Sequence, residues 1–310
     1  MPERKSKQFS ARDAVAWIND GDKVAIGGSL IRRAPMALVR EIARQKKKDL
    51  TLYSWSAGMD YDLLIGAGCV KEAWSSYCGL FQFGMAMNFR RGVEGGQVRF
   101  VDLSETCAKD KFRAAAFGNT YCISKVPLHT SIMENPEFQT IVTCPFTGEE
   151  YVAMEAFHPD VAILHAHRAD KFGNIQFDQI RMMDNECDIL IAKSAKKVIV
   201  SVEEIVDESI VIQNPTWTML PKFFVDAVVE IPFGAHPNSC DTLYDFDLEH
   251  GRMYRDYSKT HEKFQEYLHK YVFSCPEHEN YIEKCGGMES LKKLCRPAKG
   301  GNHGQRIHAG

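Results

Sequence analysis

The chain has 310 residues, of which 45% are hydrophobic and 25% are charged, and its formal net charge is −3. This composition suits a globular protein with a large core, and it offers no basic field for nucleic acid. No stretch approaches the roughly 20 consecutive apolar residues of a membrane helix. The N-terminal segment MPERKSKQFSARD has no apolar run, so we expect no signal peptide and a cytoplasmic protein.

The first hundred residues alternate helix and strand. Ser10 is a suitable N-cap for an opening helix, and Pro35 suits the first turn of a second helix, where its missing N–H costs nothing. Short apolar runs predict buried strands at residues 23–26, 50–53 and 98–101.

The remainder of the chain continues this alternation and ends in helices. Ser104 predicts the cap of a helix that extends to Ala116, and aromatic residues recur at helical spacing from Tyr257 onward. Strands that are apolar on both faces indicate an α/β fold, a mostly parallel sheet covered by helices, with a helical C-terminal tail. The predicted strands of this half are residues 161–164, 189–192, 198–202 and 225–231.

The sequence also predicts the domain organisation and the state of the cysteines. We expect residues 1–298 to form a single domain and the Gly- and His-rich residues 299–310 to form a flexible tail. The ten cysteines include no C-x-x-C pair, so we expect no structural zinc site of that kind. Without a secretory signal the cysteines are expected to be reduced thiols.

The turn after the first strand is the leading candidate for a binding site, because ligands of parallel sheets bind beyond the carboxyl ends of the strands. It contains Gly27, Gly28 and Ser29, followed by Arg32 and Arg33. Glycines let a ligand approach the backbone, and the arginines with the nearby helix start favour an anion. The alternative is a tight strand-to-helix turn with solvated arginines. The turn has neither a dinucleotide fingerprint nor the lysine of a P-loop.

Three further segments follow predicted strands. Residues 54–60 are mostly small and leave room either for a ligand or for a packed turn. Glu105 lies at a helix start, where a carboxylate is either a dipole-favoured surface charge or a nucleophile or base. His165 and His167 would face the same way, but a metal would need a third ligand such as Asp170. The alternative for the histidines is a hydrogen-bonded strand end.

Taken together, these segments resemble the α subunit of family I coenzyme A-transferases, most closely the glutaconate type. They cover roughly residues 10–285 and occur in the family's order. The matching segments are KVAIGGS, RRAPMALVREI, DLTLYSWSAGMDYDLLIGAGCVKEA, DVAILHAHRADKFGNIQ, VIVSVEEIVD, VDAVVEIPFGAHPNSCDTLYDFD and YSKTHEKFQEYLHKYVF.

The resemblance implies a CoA-transferase-like fold in which two homologous subunits form one active site. In that family a β-subunit glutamate attacks the acyl-CoA thioester and becomes a glutamyl-CoA thioester, which the acceptor acid then resolves. The α subunit would shape the acid pocket and stabilise oxyanions, and Gly27, Gly28, Ser29 and Arg33 match the turn that would do this. Acyl-CoA and a carboxylic acid are then the substrates, and no metal or other cofactor is implied.

A related group with the same two-subunit fold supplies an alternative function. It hydrolyses a ring carbon–carbon bond in CoA thioesters from steroid breakdown. Its α subunit has a catalytic glutamate at a short helix start, shortly before a run of three alanines. Here Glu105 precedes the run Ala114-Ala115-Ala116 by nine residues. A non-catalytic member of this fold, or a relative of sugar-phosphate isomerases, is a third interpretation.

Overall fold

A computed structural model describes residues 5–177 and 183–296, so the predicted tail at 299–310 lies outside the described residues. Its strands are β1 (Lys23–Ile26), β2 (Leu50–Tyr53), β3 (Val70–Ser75), β4 (Arg99–Asp102), β5 (Tyr121–Ser124), β6 (Ile141–Thr143), β7 (Glu150–Glu155), β8 (Val161–Asp170), β9 (Ile175–Gln176), β10 (Lys197–Val206), β11 (Thr218–Leu220) and β12 (Ala227–Glu230). Its α-helices are α1 (Ala11–Val15), α2 (Met36–Arg44), α3 (Met59–Gly66), α4 (Met87–Glu94), α5 (Glu105–Ala116), α6 (Met183–Ser194), α7 (Glu208–Gln213), α8 (Leu248–Tyr257), α9 (His261–Leu268), α10 (His278–Lys284) and α11 (Met288–Lys292).

The central sheet is mostly parallel, which confirms the predicted fold class. Its parallel strands run in the order β12, β10, β8, β1, β2, β3, β4. Strand β8 pairs with β1 along its first residues and with the antiparallel β9 near its end, and β9 pairs in turn with β11. A separate antiparallel sheet has the order β5, β7, β6. The carboxyl ends of the parallel strands therefore meet at one edge of the main sheet.

Two hydrophobic cores lie on the two faces of the main sheet. Val24 and Ile26 of β1 point into the core that α1, α2, α3 and the C-terminal helices cover. Ala25, between them, points into the core that α5 and α6 cover. Because both faces are covered, the strands are apolar on both sides, as parallel strands in α/β proteins usually are.

Most of the predicted elements are confirmed. Strands β1 and β2 have the predicted bounds, and α5 ends at Ala116 as predicted. The hydroxyl oxygens of Ser10 and Ser104 accept hydrogen bonds from the third helical N–H of α1 and α5, at 3.1 Å in both cases. The C-terminal region is helical, although its helices begin at Leu248 rather than near Tyr257. Among the helices of the described ranges, none combines the length and apolar composition needed to cross a bilayer.

The prediction of a strand at residues 189–192 is wrong, because these residues lie within α6. A run of four apolar residues does not distinguish a strand from a turn of buried helix. Burial at Cys187, Leu190, Ile191 and Ser194 has the helical spacing i, i+3, i+4, i+7. This helical spacing can be recognised only when the residues before and after the run 189–192 are considered.

Candidate active site

The two glycines after β1 are held by hydrogen bonds to β8 and to α6. The N–H of Gly27 donates to the Ile163 carbonyl at 3.0 Å, and the N–H of Gly28 donates to Asp188 Oδ1 at 2.8 Å. A Cβ at Gly27 would lie only 2.3 Å from Leu164 Cδ2 and 2.5 Å from the same Oδ1. Close packing of these two side chains, rather than approach of a ligand, therefore explains glycine at position 27.

The rest of the turn is closed by backbone hydrogen bonds. Ser29 and Arg32 each donate their N–H to the other's carbonyl oxygen, at 2.8 Å in both directions. The N–H of Arg33 donates to the carbonyl of Ser239, in the segment after β12, also at 2.8 Å. The N–H groups of these residues are thus engaged within the chain.

The guanidinium of Arg33 is fully buried among polar partners. Its Nη1 donates to Asp188 Oδ2 at 2.7 Å and to the His165 carbonyl at 3.1 Å, and its Nη2 donates to Asn185 Oδ1 at 2.6 Å. Burial raises the pKa of Asp188, and the positive charge of Arg33 opposes that rise. Burial alone would lower the pKa of Arg33, but the charge and hydrogen bond of Asp188, together with the negative charges of Cys240 and Asp241, outweigh the effect of burial. Arg33 and Asp188 thus form a buried ion pair that supports the turn.

Arg32, in contrast, reaches the surface. Its Nε and Nη2 donate to the two carboxylate oxygens of Asp241 at 3.1 and 2.9 Å, and its side chain remains 31% exposed. A substrate can therefore approach Arg32 without breaking the fold, whereas Arg33 is fully buried and out of its reach.

The structure brings Glu105 into the neighbourhood of the glycine turn. Glu105 is the first residue of α5, its side chain is 51% exposed, and its Oε1 lies 2.8 Å from Lys109 Nζ. Lys109 Nζ lies 4.6 Å from the centroid of the Trp55 ring, and Trp55 Nε1 donates to the Gly28 carbonyl at 3.1 Å. Lys109 and Trp55 therefore connect the helix start to the turn.

The segment after β2 ends in a buried carboxylate. Asp60 lies in the first turn of α3, and its Oδ1 accepts the N–H of Gly58 at 2.7 Å. Burial raises the pKa of Asp60 to about 6, although the hydrogen bonds from backbone N–H groups oppose the rise. The folded chain therefore binds a proton at Asp60 more tightly than the unfolded chain does.

We expect Asp60→Asn to stabilise the chain at neutral pH by on the order of 3 kcal/mol, since asparagine keeps the acceptor oxygen and removes the buried charge. Because the folded pKa is raised, the wild-type chain loses stability as pH rises from about 4 to 6, and the loss levels off above that. The advantage of the variant should therefore grow by about 1–2 kcal/mol between pH 5 and 7.5 in urea unfolding experiments. An advantage that does not change with pH would show that folding does not raise the pKa of Asp60.

His165, His167 and Asp170 do not converge on a common point. All three lie within β8, which extends beyond the predicted residues 161–164. His165 Nε2 lies 2.7 Å from Glu203 Oε1, and His167 Nε2 lies 2.7 Å from the carbonyl of Asp241. Asp170 accepts N–H groups of the turn that follows it. These contacts favour the alternative of a hydrogen-bonded strand end over a metal site.

Glu203 is a buried residue of this edge that the sequence patterns did not single out. Its Oε1 accepts the Tyr244 hydroxyl at 2.6 Å, and its Oε2 accepts the N–H of Phe233 at 2.7 Å. A signal was present, because a glutamate inside the apolar run VIVSVEE must find partners if the run is a buried strand. Its contacts fasten β10 to the segment after β12.

Residues 9–231 match the family model described as Coenzyme A transferase. The α chain of the glutaconate CoA-transferase from Acidaminococcus fermentans is 33% identical, over 95% of this chain and 97% of that one. The crystal structure of the glutaconate coenzyme A-transferase from the same organism superimposes with a TM-score of 0.89, at 32% identity, over 94% of this chain and 96% of that chain.

Two further relatives extend the comparison. An uncharacterized protein of Archaeoglobus fulgidus is 38% identical over 95% of this chain, which spans 65% of that protein's length. The IpdA subunit of a cholesterol ring-cleaving hydrolase from Rhodococcus jostii is 30% identical, over 88% of this chain and 94% of that one. The chain belongs to the coenzyme A transferase family, as its motifs predicted, and it has that family's fold.

Proposed function

We propose that this chain is the α subunit of a heteromeric CoA-transferase that moves CoA between an acyl-CoA and a carboxylic acid, such as glutaconate or a 3-oxoacid. The observation that carries the proposal is the correspondence with glutaconate coenzyme A-transferase, with a TM-score of 0.89 over 94% of the chain. The matching sequence is one named subunit of that enzyme, and the chain covers it almost from end to end. We infer from the subunit name that a homologous β subunit is the partner.

The carboxylates at the carboxyl edge support a nucleophile outside this chain. Asp188 and Glu203 are fully buried and engaged with Arg33 and His165, respectively. Glu105 is accessible at 51% exposure, but it already pairs with Lys109 at 2.8 Å. Together with the family that the sequence resembles, these contacts support the proposal that the attacking glutamate belongs to the β subunit.

In the proposed transfer, the acyl group first moves from CoA to the glutamate, and CoA then attacks the glutamyl carbonyl. The β-subunit glutamate adds to the thioester carbonyl of acyl-CoA, and the C–S bond breaks to give CoA thiolate and an acyl-glutamyl anhydride. CoA thiolate then attacks the glutamyl carbonyl, and the first acid leaves as its carboxylate. The acceptor carboxylate repeats these steps in reverse on the glutamyl-CoA thioester.

In this proposal the turn of Gly27, Gly28, Ser29, Arg32 and Arg33 lines the pocket for the acid. Because its backbone N–H groups already have partners, substrate contact is expected through the exposed part of Arg32 and through the Ser29 side chain. Gly27, Gly28 and Arg33 then position those groups. No metal or organic cofactor takes part in the proposed transfer.

Co-expression with the homologous β subunit tests this function. The purified chain alone should have no CoA-transferase activity, and the complex should transfer CoA from an acyl-CoA to a dicarboxylic or 3-oxo acid. Incubation of the complex with acyl-CoA and no acceptor should leave CoA on a β-chain glutamate, which borohydride reduces to an alcohol. Transfer by the lone chain, or label on this chain instead of the β chain, would refute the proposed division of roles.

The second candidate function is the α subunit of a ring-opening CoA-thioester hydrolase that uses Glu105. The observation that favours it is the exposed Glu105 carboxylate, connected to Gly28 through Lys109 and Trp55. The 30% identity to the IpdA subunit of a cholesterol ring-cleaving hydrolase is consistent with this chemistry.

The substitution Glu105→Gln separates the two functions. We expect transferase activity of the complex to remain, with a loss of about 0.3–1 kcal/mol of stability, because a carboxylate at a helix start interacts with the helix dipole. A catalytic base would instead lose turnover by on the order of 10² to 10⁴. Steady-state kinetics and thermal unfolding of the same preparation measure both quantities.

Glu94→Gln is the control for loss of an exposed salt bridge alone, since Glu94 pairs with Arg90 at 2.7 Å but lies at the C-terminal end of α4. If Glu105→Gln loses turnover a thousandfold while Glu94→Gln does not, and the melting temperature of Glu105→Gln is unchanged, the hydrolase function is supported.

A further inference from the structure

A cluster of metal-binding side chains lies outside the network that holds the glycine turn. We call His236, Asp247, His250 and Cys285 the His–Cys cluster. One donor atom each of His236, His250 and Cys285 lies within 4.8 Å of the other two. His250 Nδ1 and Cys285 Sγ are 3.7 Å apart, and His236 Nε2 and Asp247 Oδ2 are 3.1 Å apart. The four side chains come from the segment after β12, from α8 and from the end of α10.

Two of these separations are close to the distances between ligand atoms of tetrahedral Zn²⁺. With bonds of about 2.3 Å to sulfur and about 2.0–2.1 Å to nitrogen or oxygen, tetrahedral angles place sulfur and nitrogen about 3.6 Å apart. Nitrogen and oxygen ligands are then about 3.3 Å apart. The two measured pairs, at 3.7 and 3.1 Å, lie close to these values.

The surroundings of the two imidazoles also suit metal ligands, whose second ring nitrogen usually has a hydrogen-bond partner. His236 Nδ1 lies 2.8 Å from the Tyr281 hydroxyl, and His250 Nε2 lies 2.9 Å from the Tyr267 hydroxyl. The second oxygen of Asp247 accepts the N–H of His250 at 2.9 Å. Each ring is thus oriented by a tyrosine and leaves its other nitrogen facing the cluster.

Burial and nearby charge together set the protonation states of the three donor side chains. Burial lowers the pKa values of His236 and His250, and the positive charge of Arg40 lowers them further, so both imidazoles are neutral at physiological pH. Burial raises the pKa of Cys285 to about 12, while Arg40 opposes that rise. Without a metal Cys285 is therefore a thiol, and a metal that binds it must displace its proton.

We propose that the His–Cys cluster is a structural Zn²⁺ site with His236, His250 and Cys285 as ligands, and that Asp247, which contacts His236, becomes the fourth ligand when its carboxylate shifts toward the other three. Binding replaces the S–H bond of Cys285 with a Zn–S bond and releases one proton to solvent. The neutral His236 keeps its proton on Nδ1, where it donates to the Tyr281 oxygen, and binds the ion through Nε2. The ion joins α8 and α10 to the segment after β12. The absence of a C-x-x-C pair does not exclude this site, because its ligands come from separate segments.

A second group, formed by His165, Glu203 and Cys240, has donor atoms equally close together but is a poorer candidate. All three side chains are fully buried, whereas the Asp247 side chain is 20% exposed and Cys285 is half-buried. The His–Cys cluster therefore lies nearer to solvent than the second group does, which favours entry of an ion.

Titration of the chelator-treated full chain with Co²⁺ tests the proposal. One equivalent should produce the visible bands of tetrahedral Co²⁺ and the near-ultraviolet charge-transfer band of a cobalt–thiolate bond. Zn²⁺ should abolish both and release about one proton per ion near neutral pH. Zn²⁺ should also raise the melting temperature, and a chelator should reverse the rise.

Cysteine variants identify the thiolate. Cys285→Ser should abolish the charge-transfer band and weaken Zn²⁺ binding by on the order of 100-fold, since loss of a ligand costs at least as much as loss of an outer partner. Cys122→Ser, at another half-buried cysteine, should leave both unchanged. A wild-type chain without the band at one equivalent would overturn the proposal, whether or not any variant folds. Loss of the band in Cys240→Ser with its retention in Cys285→Ser would place the metal at the other group and overturn it equally.

Discussion

Replacing Arg33 with methionine is expected to destabilise the chain by about 3–5 kcal/mol, the usual effect of removing one partner of a buried ion pair. The substitution leaves Asp188 without its cation, and it also removes the donors to Asn185 and to the His165 carbonyl. Methionine fills a similar volume, so the loss of charge dominates the loss of packing. Urea unfolding of the purified chain at neutral pH measures this change.

Two comparisons separate the ion pair from other effects of the substitution. Arg32→Met removes a partly exposed arginine from Asp241 and should cost only about 0–1 kcal/mol. The double variant Arg33→Met/Asp188→Asn should recover much of the loss, because an asparagine can still accept the N–H of Gly28 without a buried charge. If the double variant is as unstable as Arg33→Met alone, the uncompensated carboxylate is not the cause of the instability.

The elements that the sequence predicted well depend on local chemistry. The caps at Ser10 and Ser104 bond to N–H groups three residues away, so the signal and the structure lie in the same short segment. Strands β1 and β2 are apolar runs bounded by polar or glycine residues, and each is too short to be confused with a longer element. Local patterns of this kind fix the bounds without information on the tertiary fold.

The elements that were mistaken or missed depend on distant partners. The apolar run at 189–192 is helical because it packs under the sheet beside α5, and four residues do not contain that information. Strand β8 extends to Asp170 because β10 pairs along its whole length and β9 pairs near its end. The small sheet of β5, β6 and β7 was not predicted at all, although β7 contains the apolar run from Tyr151 to Met154.

The residues of the candidate site also fall into those with a local sequence signal and those that depend on distant partners. The sequence located the glycine turn and Glu105, because strand ends and helix starts have local signals. It did not identify the carboxylates that engage the arginines. Asp188 lies 155 residues from Arg33, and Asp241 lies 209 residues from Arg32. A sequence shows that a buried arginine needs an acidic partner, but only the fold decides which carboxylate provides it.

We expect Gly28→Ala to cost roughly 2–5 kcal/mol of stability. Gly28 has φ +82°, and a Cβ there would lie 2.5 Å from Ala34 N, 2.6 Å from Arg33 C and 2.7 Å from Arg32 O. These are backbone atoms, so no side-chain rotation relieves the overlap. The left-handed conformation contributes about 1–2 kcal/mol and the overlap about 1–3 kcal/mol. Chemical denaturation of the purified variant measures the sum.

Gly21→Ala isolates the steric part, because Gly21 has the same φ of +82° and a Cβ there meets nothing within 4 Å. That variant should lose only the conformational contribution of about 1–2 kcal/mol. The difference in lost stability between the two variants then measures how strongly the backbone of residues 32–34 resists moving away from Gly28. Equal losses would mean that the turn opens at no cost, and a turn that opens so easily would leave its N–H groups available to a substrate oxyanion. A larger loss at Gly28 would instead support the role proposed here, in which the glycines position Arg32 and Ser29 for the acid.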